Sequence, residues 1–258
     1  LVAMNAVDVG QYLAQLPPER RATAFRVLPK DRAAQVFSYM DADLQRGLIG
    51  AIGDREAGAL IEKMFLDDAV DFLDELPPDV VTRLLAGADH ETRERVNQFL
   101  RYPANSAGAV MTIEYMELRP GTTAGQAMDA IRLTGGDKET IYISYVVGDD
   151  RRLLGAVPIG KLLAAPDDAP IEDVMERYVA VAHTLDDRAE AARTVRKYDL
   201  AALPVLDADD HMVGIITADD VMDVMQREDT EDLQRMAAIL PNEQDYLKTG
   251  VFRQAFSR

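Results

Sequence analysis

ALPVLDADDHMVGIITADDVMDVMQREDTEDLQRM, residues 202–236, reads as two short apolar runs joined by an acidic turn and followed by a helix. Residues 202–206 and 212–217 are β-branched and apolar enough for paired strands, while Asp207, Asp209 and Asp210 between them favour a tight turn through their own side chains. A helix over 219–232 turns about 100° per residue, which sets Asp220, Asp223, Glu228 and Glu231 on one broad stripe. From Asp199 to Asp232 the chain holds eleven carboxylates against one cation, Arg227. Like charges three or four residues apart repel, so this density calls for a cation or wide solvation. Hard oxygen donors suit Mg2+ or Ca2+, and with no Cys in the chain no soft metal is indicated.

Upstream, the same pattern occurs once more. YVVGDDRRLLGAV, starting at Tyr145, matches PVLDADDHMVGII at an offset of 59 residues, and Val110-Met111 matches Val174-Met175 at an offset of 64. Five extra residues around GGDKE account for the difference. Strand runs YISYVV, LLGAVPI, YVAVAH, ALPVL and MVGIIT all fall after Arg101, where YPANSAG supplies loop residues. The first hundred residues differ. YLAQLPP at 12–18 and FLDELPP at 72–78 recur sixty residues apart, and RATAFRVL, DRAAQVFSYM, LQRGLIGAIG, EAGALIEKMF, DVVTRLLAGA and ETRERVNQFL each carry apolar residues at helical spacing. An all-helical superhelix is expected there.

The chain has 258 residues, 48% hydrophobic and 28% charged, the composition of a folded protein long enough for two domains. Its net charge of −17 argues against nucleic acid or an anionic membrane surface as the main partner. The three His residues are too scattered for a zinc site, with His90 expected in a loop, His183 near a strand end and His211 in a turn. No nucleophile elbow or Ser-His-Asp ordering is present, and GTTAG at 121–125 lacks the Lys-Ser/Thr ending of a phosphate loop and reads as a helix start, so the chain is expected not to be an enzyme. No apolar run reaches the roughly 18 residues of a membrane span. A start without Met and an end at GVFRQAFSR lead to the expectation of a piece cut from a longer protein.

The repeated unit, strand-helix-strand-turn-strand-helix ending in G-apolar-apolar-T-x-x-D, resembles the CBS domain, and its duplication resembles a CBS pair. Gly214, Thr217 and Asp220 complete the ending in the second copy. The first copy keeps Gly155 but has Pro158 and Lys161 where Thr and Asp would stand. In that family the Thr and Asp hold adenosine nucleotides, which makes Thr217 and Asp220 candidate nucleotide ligands, with ATP as the cofactor. With LDDAVDFLDELPPD before it and ITADDVMDVMQREDTEDLQRM after it, the order of elements is similar to the cytosolic half of an MgtE-type magnesium channel.

That resemblance implies an α+β multidomain protein: a superhelical domain at 1–102, a CBS pair at 103–226 (copies at about 108–168 and 169–226) and a connecting or plug helix at 227–258. It implies a Mg2+-sensing role at the cytoplasmic face of a membrane, a homodimer joined through the CBS pairs, and a pore domain as the further partner. The implied Mg2+ ligands are Asp67 and Asp71 facing Asp220, Asp199 and Asp223 at the junction with the plug helix, and Glu228, Glu231 and Asp232 on it. Asp187 is added, although the acidic neighbour expected two residues on is Ala189, leaving Glu190.

The residues support a cation on their own terms. Asp67, Asp71 and Asp74 lie within about 60° of one another on a helix face, with no Lys or Arg from Leu66 to Thr82. Setting that face against Asp219 and Asp220 is repulsive without a divalent ion between them. Two other functions compete: an adenine-nucleotide sensor built on the CBS pair, and a helical-repeat scaffold for a protein partner.

Overall fold

The computed structural model describes the backbone of residues 3–236 and the side chains of residues 3–226 and Thr230. The helical half comprises α1 (Ala6–Ala14), α2 (Pro18–Phe25), α3 (Lys30–Ser38), α4 (Ala42–Ala51), α5 (Asp54–Ile61), α6 (Leu66–Asp74), α7 (Pro78–Ala86) and α8 (His90–Phe99). Helices this short are marginal alone and hold because each buries one face. Val9, Leu13, Phe37, Leu48, Ile61, Leu73, Leu84 and Val96 form the common core, with Phe72 edge-on to Phe37 at 5.0 Å. The two Pro-Pro pairs act as hinges between helices: Pro17 and Pro77 stand at the caps, and Pro18 and Pro78 open α2 and α7, where a missing N–H is no loss. His90, expected in a loop, is instead the first residue of α8, because Asp89 caps that helix by accepting the Thr92 N–H at 2.7 Å.

Two three-stranded sheets follow. β1 (Met116–Leu118), α9 (Ala124–Thr134), β2 (Ile143–Val147), β3 (Leu153–Pro158) and α10 (Ile159–Ala164) make the first repeat. A short helix α11 (Ile171–Val174) leads to the second: β4 (Ala182–His183), α12 (Arg188–Tyr198), β5 (Ala202–Leu206), β6 (Met212–Thr217) and α13 (Ala218–Met236). In each sheet the first strand pairs parallel and the third antiparallel to the middle one. GTTAG is a helix start as expected: Thr123 and Gln126 form a capping box on α9. Of YVAVAH only Ala182 and His183 find a strand partner, opposite Val205 and Leu206; Tyr178 is fully exposed. The strand at Met116–Leu118 lies outside the expected runs.

The repeats exchange their leading segments. Thr112 bridges Ile215 of β6, and Glu176 bridges Ala156 of β3. This brings Met111 onto Gly214 and Met175 onto Gly155 so closely that a Cβ on Gly214 would stand 2.8 Å from the Thr112 carbonyl oxygen, and one on Gly155 2.7 Å from that of Glu176. Gly214→Ala is therefore expected to destabilise the chain by about 1–3 kcal/mol, read as a lower denaturant midpoint with unchanged slope. Between the sheets, Tyr145 is wholly buried and donates its hydroxyl to the Ala202 carbonyl at 3.1 Å. At the matching turns, Arg151 and Asp210, one repeat offset apart, both adopt positive φ (61° and 64°).

One continuous apolar cluster runs from the helical half through Phe99 and Ala107 to Met111, Ile216, Val221 and Val224. The helical half is thus docked on the second repeat. α13 runs unbroken through residues 226 and 227. No described helix is long and apolar enough to cross a membrane.

Candidate metal centre

The joint between the two halves is built from three chain segments. α6 brings Asp67 and Asp68 in its first turn, where free N–H groups favour acids. Ala69, Val70, Phe72 and Leu73 of that helix are buried in the apolar cluster, and Asp67 and Asp68 at its start have Asp219, Asp220 and Asp223 of the second repeat among their charged neighbours. Asp67 is left only 9% exposed, and its Oδ1 has no hydrogen-bond partner among the described residues.

α13 brings Asp220. Its carboxylate reaches back to the Thr217 N–H at 3.3 Å and accepts a short bond from the Thr217 hydroxyl, which fixes the side chain at the helix start. The loop after α9 brings Glu139. Its N–H donates to the Glu114 carbonyl at 2.8 Å, and the Glu114 carboxylate accepts the Thr112 hydroxyl at 2.6 Å. Since Thr112 is itself paired with Ile215, two residues before Thr217, Glu139 is carried to the same place as Asp220. Its buried Oε2 also lacks a hydrogen-bond partner among the described residues.

The electrostatics follow from this crowding. Burial raises the Asp67 carboxyl well above the usual range, and Asp220, Asp68 and Glu139 raise it further. Burial likewise pushes Glu139 up to about 8, with Asp220, Asp68, Asp219 and Glu114 adding to it. Asp220 is pushed up to about 7 by burial, against the lowering effect of the Thr217 hydroxyl. Asp68 is raised by burial too, opposed by the nearby Ser38 hydroxyl, while Asp71, Asp219 and Asp223 add repulsion. A cavity of about 180 Å3 continues the site outward between the halves, lined by Asp68, Asp71, Glu75 and Asp223 together with Ser38 and Gln45.

Of the expected ligands, then, Asp67 and Asp220 meet at the buried joint, and Asp71 and Asp223 meet across the adjoining cavity. Asp223 faces the helical half as well as lying on α13. Asp74, at the far end of α6, is exposed. Asp199 is exposed at the C-terminus of α12 in a left-handed conformation (φ 52°), two residues before Ala201, whose carbonyl accepts the Ala218 N–H at 3.2 Å. It stands beside the start of α13, outside the cavity. The side chains of Glu228, Glu231 and Asp232 lie outside the described residues.

Asp187 has a structural task, capping α12 by accepting the Ala189 and Glu190 N–H groups at 2.9 and 3.1 Å. Asp187→Ala is expected to lower stability by about 1 kcal/mol, while Asp187→Asn, an equally good cap, keeps it. Thermal melts of the two variants check this.

Sequence reasoning missed Asp68, Glu75 and Glu139. Asp68 sits one step round the helix from the expected stripe, and Glu139 lies in the five-residue insertion, which the repeat alignment registers only as a difference in length. The insertion was the available signal.

Elsewhere, ligand atoms of Asp207, Asp209 and His211 come within 4.8 Å of one another. Asp207 Oδ1 already accepts the Asp209 and His211 N–H groups, both at 2.9 Å, and these bonds hold its carboxyl below the usual range. That is the expected turn. In the first repeat Lys161 pairs with Glu176 at 2.9 Å.

Two buried carboxylate oxygens without partners among the described residues, set among further acids, are costly once ionised unless a cation shares the space. The all-oxygen donor set fits a small hard divalent ion such as Mg2+.

An all-helical array docked by an acidic seam onto a pseudo-symmetric pair of strand-helix-strand-strand-helix repeats defines a CBS-pair protein with an added helical domain. The chain belongs to the MgtE family. The family description "MgtE intracellular N domain" matches residues 4–105, and the CBS domain matches residues 171–227. The magnesium transporter MgtE of Thermus thermophilus is 33% identical over 228 residues, covering 87% of this chain and 51% of that protein. The Bacillus subtilis magnesium transporter MgtE is 28% identical over 235 residues, covering 91% of this chain and 52% of that protein. The chain therefore spans about half the length of the curated relatives it matches. A crystal structure of the cytosolic domain of the Mg2+ channel MgtE in complex with ATP is 32% identical, with coverage of 86% of this chain and 91% of that one and a TM-score of 0.79. The soluble part of a magnesium transporter aligns with a TM-score of 0.84 at 30% identity, over 88% of this chain and 89% of that one.

Proposed function

We propose that this chain is the Mg2+-sensing regulatory part of a magnesium channel, and that its acidic seam sets whether the helical domain (1–102) docks on the CBS pair (103–226) and connecting helix (227–258). The observation that carries this is Asp67, a carboxylate nine-tenths buried against other carboxylates with an oxygen left without a partner. Bound Mg2+ supplies the positive charge that the seam lacks. Asp67, Asp220, Asp71 and Asp223 draw the halves together around it, and when the ion is scarce their mutual repulsion drives the helical domain off. A ligand that binds only the docked arrangement shifts the population by its differential affinity. Asp199, Glu228, Glu231 and Asp232 extend the same chemistry along the connecting helix, with Asp187 as a further ligand beside its capping task. The role is regulatory and not catalytic. The assembly is a homodimer through the CBS pairs, on the cytoplasmic face of the membrane, coupled to its own pore domain.

The test compares scattering radius and protease susceptibility of the 258-residue chain in millimolar Mg2+ and in EDTA. Compaction and protection by Mg2+ are expected; identical behaviour in both sinks the proposal.

A second reading is favoured by the ATP complex of the relative: an adenine nucleotide on the second repeat, with Thr217 at phosphate and Asp220 at ribose. These two side chains are bonded to each other here, so a nucleotide has to open that bond. Calorimetry with ATP, ADP and AMP decides it, and the absence of heat with all three ends it.

A further inference from the structure

We propose that Glu139, from the loop of the first repeat, is a third arm of the ion site, so that a divalent cation at the joint ties together α6, the start of α13 and the first repeat. The inference rests on the Mg2+-sensing reading and deepens it. The helical half and α13 alone would make a two-sided clamp, in which the first repeat has no part.

The observations that point to a ligand are geometric. Asp67, nine-tenths buried, has an oxygen without a hydrogen-bond partner among the described residues and lies within electrostatic reach of Glu139 and Asp220. Glu139 holds a second buried oxygen without a partner among the described residues, with Asp220, Asp68 and Asp219 as its charged neighbours. Its placement is not that of a stray surface acid. The bond from its N–H to Glu114, the Glu114 bond to Thr112 and the Thr112 pairing with β6 form a chain of contacts that ends two residues before Thr217. The segment that carries it, Gly135–Asp137 and the residues after, is the insertion that the second repeat lacks. Mg2+ is commonly held by one or two carboxylates with the rest of its shell water, so three carboxylates sharing one or two partly hydrated ions is an ordinary arrangement. Coupling through Glu139 makes both repeats, and not the second alone, respond to the ion.

Two substitutions separate a ligand from a charge that merely repels. Glu139→Asp keeps the charge and withdraws the carboxylate by one methylene. A ligand role predicts that the Mg2+ midpoint for compaction rises by roughly 10-fold or more, the loss that even outer partners of a metal site produce. A wild-type midpoint in this variant overturns the inference and leaves the sensor reading standing, provided the wild-type chain compacts. Failure of the wild-type chain to compact overturns both. Should Glu139→Asp not fold, calorimetry with Mg2+ compares Glu139→Gln with Asp219→Asn, which removes an equal charge beside the site. A larger loss of affinity in Glu139→Gln supports ligation; an unchanged or raised affinity, or a loss no larger than that of Asp219→Asn, overturns the inference.

Discussion

A chain carrying Asp67→Asn and Asp220→Asn together docks its helical half in EDTA as fully as the wild-type chain does in millimolar Mg2+. Both substitutions keep the side-chain shape, and the amide that replaces the Asp220 carboxylate retains an oxygen for the Thr217 N–H bond. What they remove is charge at a joint where burial and neighbouring carboxylates already push both acids up. An uncompensated buried charge costs about 3–5 kcal/mol, so neutralising two of them should shift the docking equilibrium by well over 100-fold. Under the proposed sensing role the same pair supplies ligands, so the variant's radius of gyration should also stop responding to Mg2+. Small-angle scattering of both proteins across a Mg2+ series reads the two effects together. A variant that stays extended in EDTA and still compacts with wild-type dependence on Mg2+ would show that these acids neither repel nor ligate.

The second large effect is on pH. Separated from the joint, the carboxylates titrate near 4, as ordinary Asp and Glu do (about 3.9 and 4.3). Docked, Asp220 titrates at about 7 and Glu139 at about 8. Below pH about 4 both arrangements hold their protons and docking carries no charge penalty. As pH rises, the undocked form ionises first, so the docked form binds more protons and its stability falls with each unit. The fall continues while Asp220, Glu139 and Asp67, which burial also raises, hold their protons in the docked form, to about 8 and above. In EDTA the chain is therefore compact at pH 5 and opened at pH 9. Mg2+ cancels the difference at the high end and releases protons on binding, so its apparent affinity increases from pH 6 to 9. Equal scattering radii at pH 5 and pH 9 in EDTA would refute this account of the joint.

Much of the fold was readable because its periodicities are strong. The LPP repeats marked helix boundaries in the first half, and the 59-residue offset located two turns whose left-handed residues, Arg151 and Asp210, are equivalent. The exchange of leading segments was not readable. It rests on Met111 and Met175 packing over Gly214 and Gly155, a long-range pairing with no local signature.

At the site, spacing on a helix marked two acidic faces, Asp67, Asp71 and Asp74 on one and Asp220, Asp223, Glu228 and Glu231 on the other, and the family resemblance singled out Asp67, Asp71, Asp220 and Asp223 among them. Neither could rank them, since burial of Asp67 and exposure of Asp71 depend on which end of α6 the second repeat covers. Glu139 had no periodic partner and was placed by a loop. Asp187 was read only as a ligand, through the resemblance, and its capping bonds emerge from the backbone geometry.

A divalent ion at the joint between Asp67 and Asp220 is what the proposed sensing requires. Crystals of the 258-residue chain grown with Mn2+ in place of Mg2+ and measured at the manganese edge test it most directly. The account predicts an anomalous peak in the space that Asp67 shares with Asp220. A docked chain with no peak there, its carboxylates meeting only protons or solvent, would contradict it.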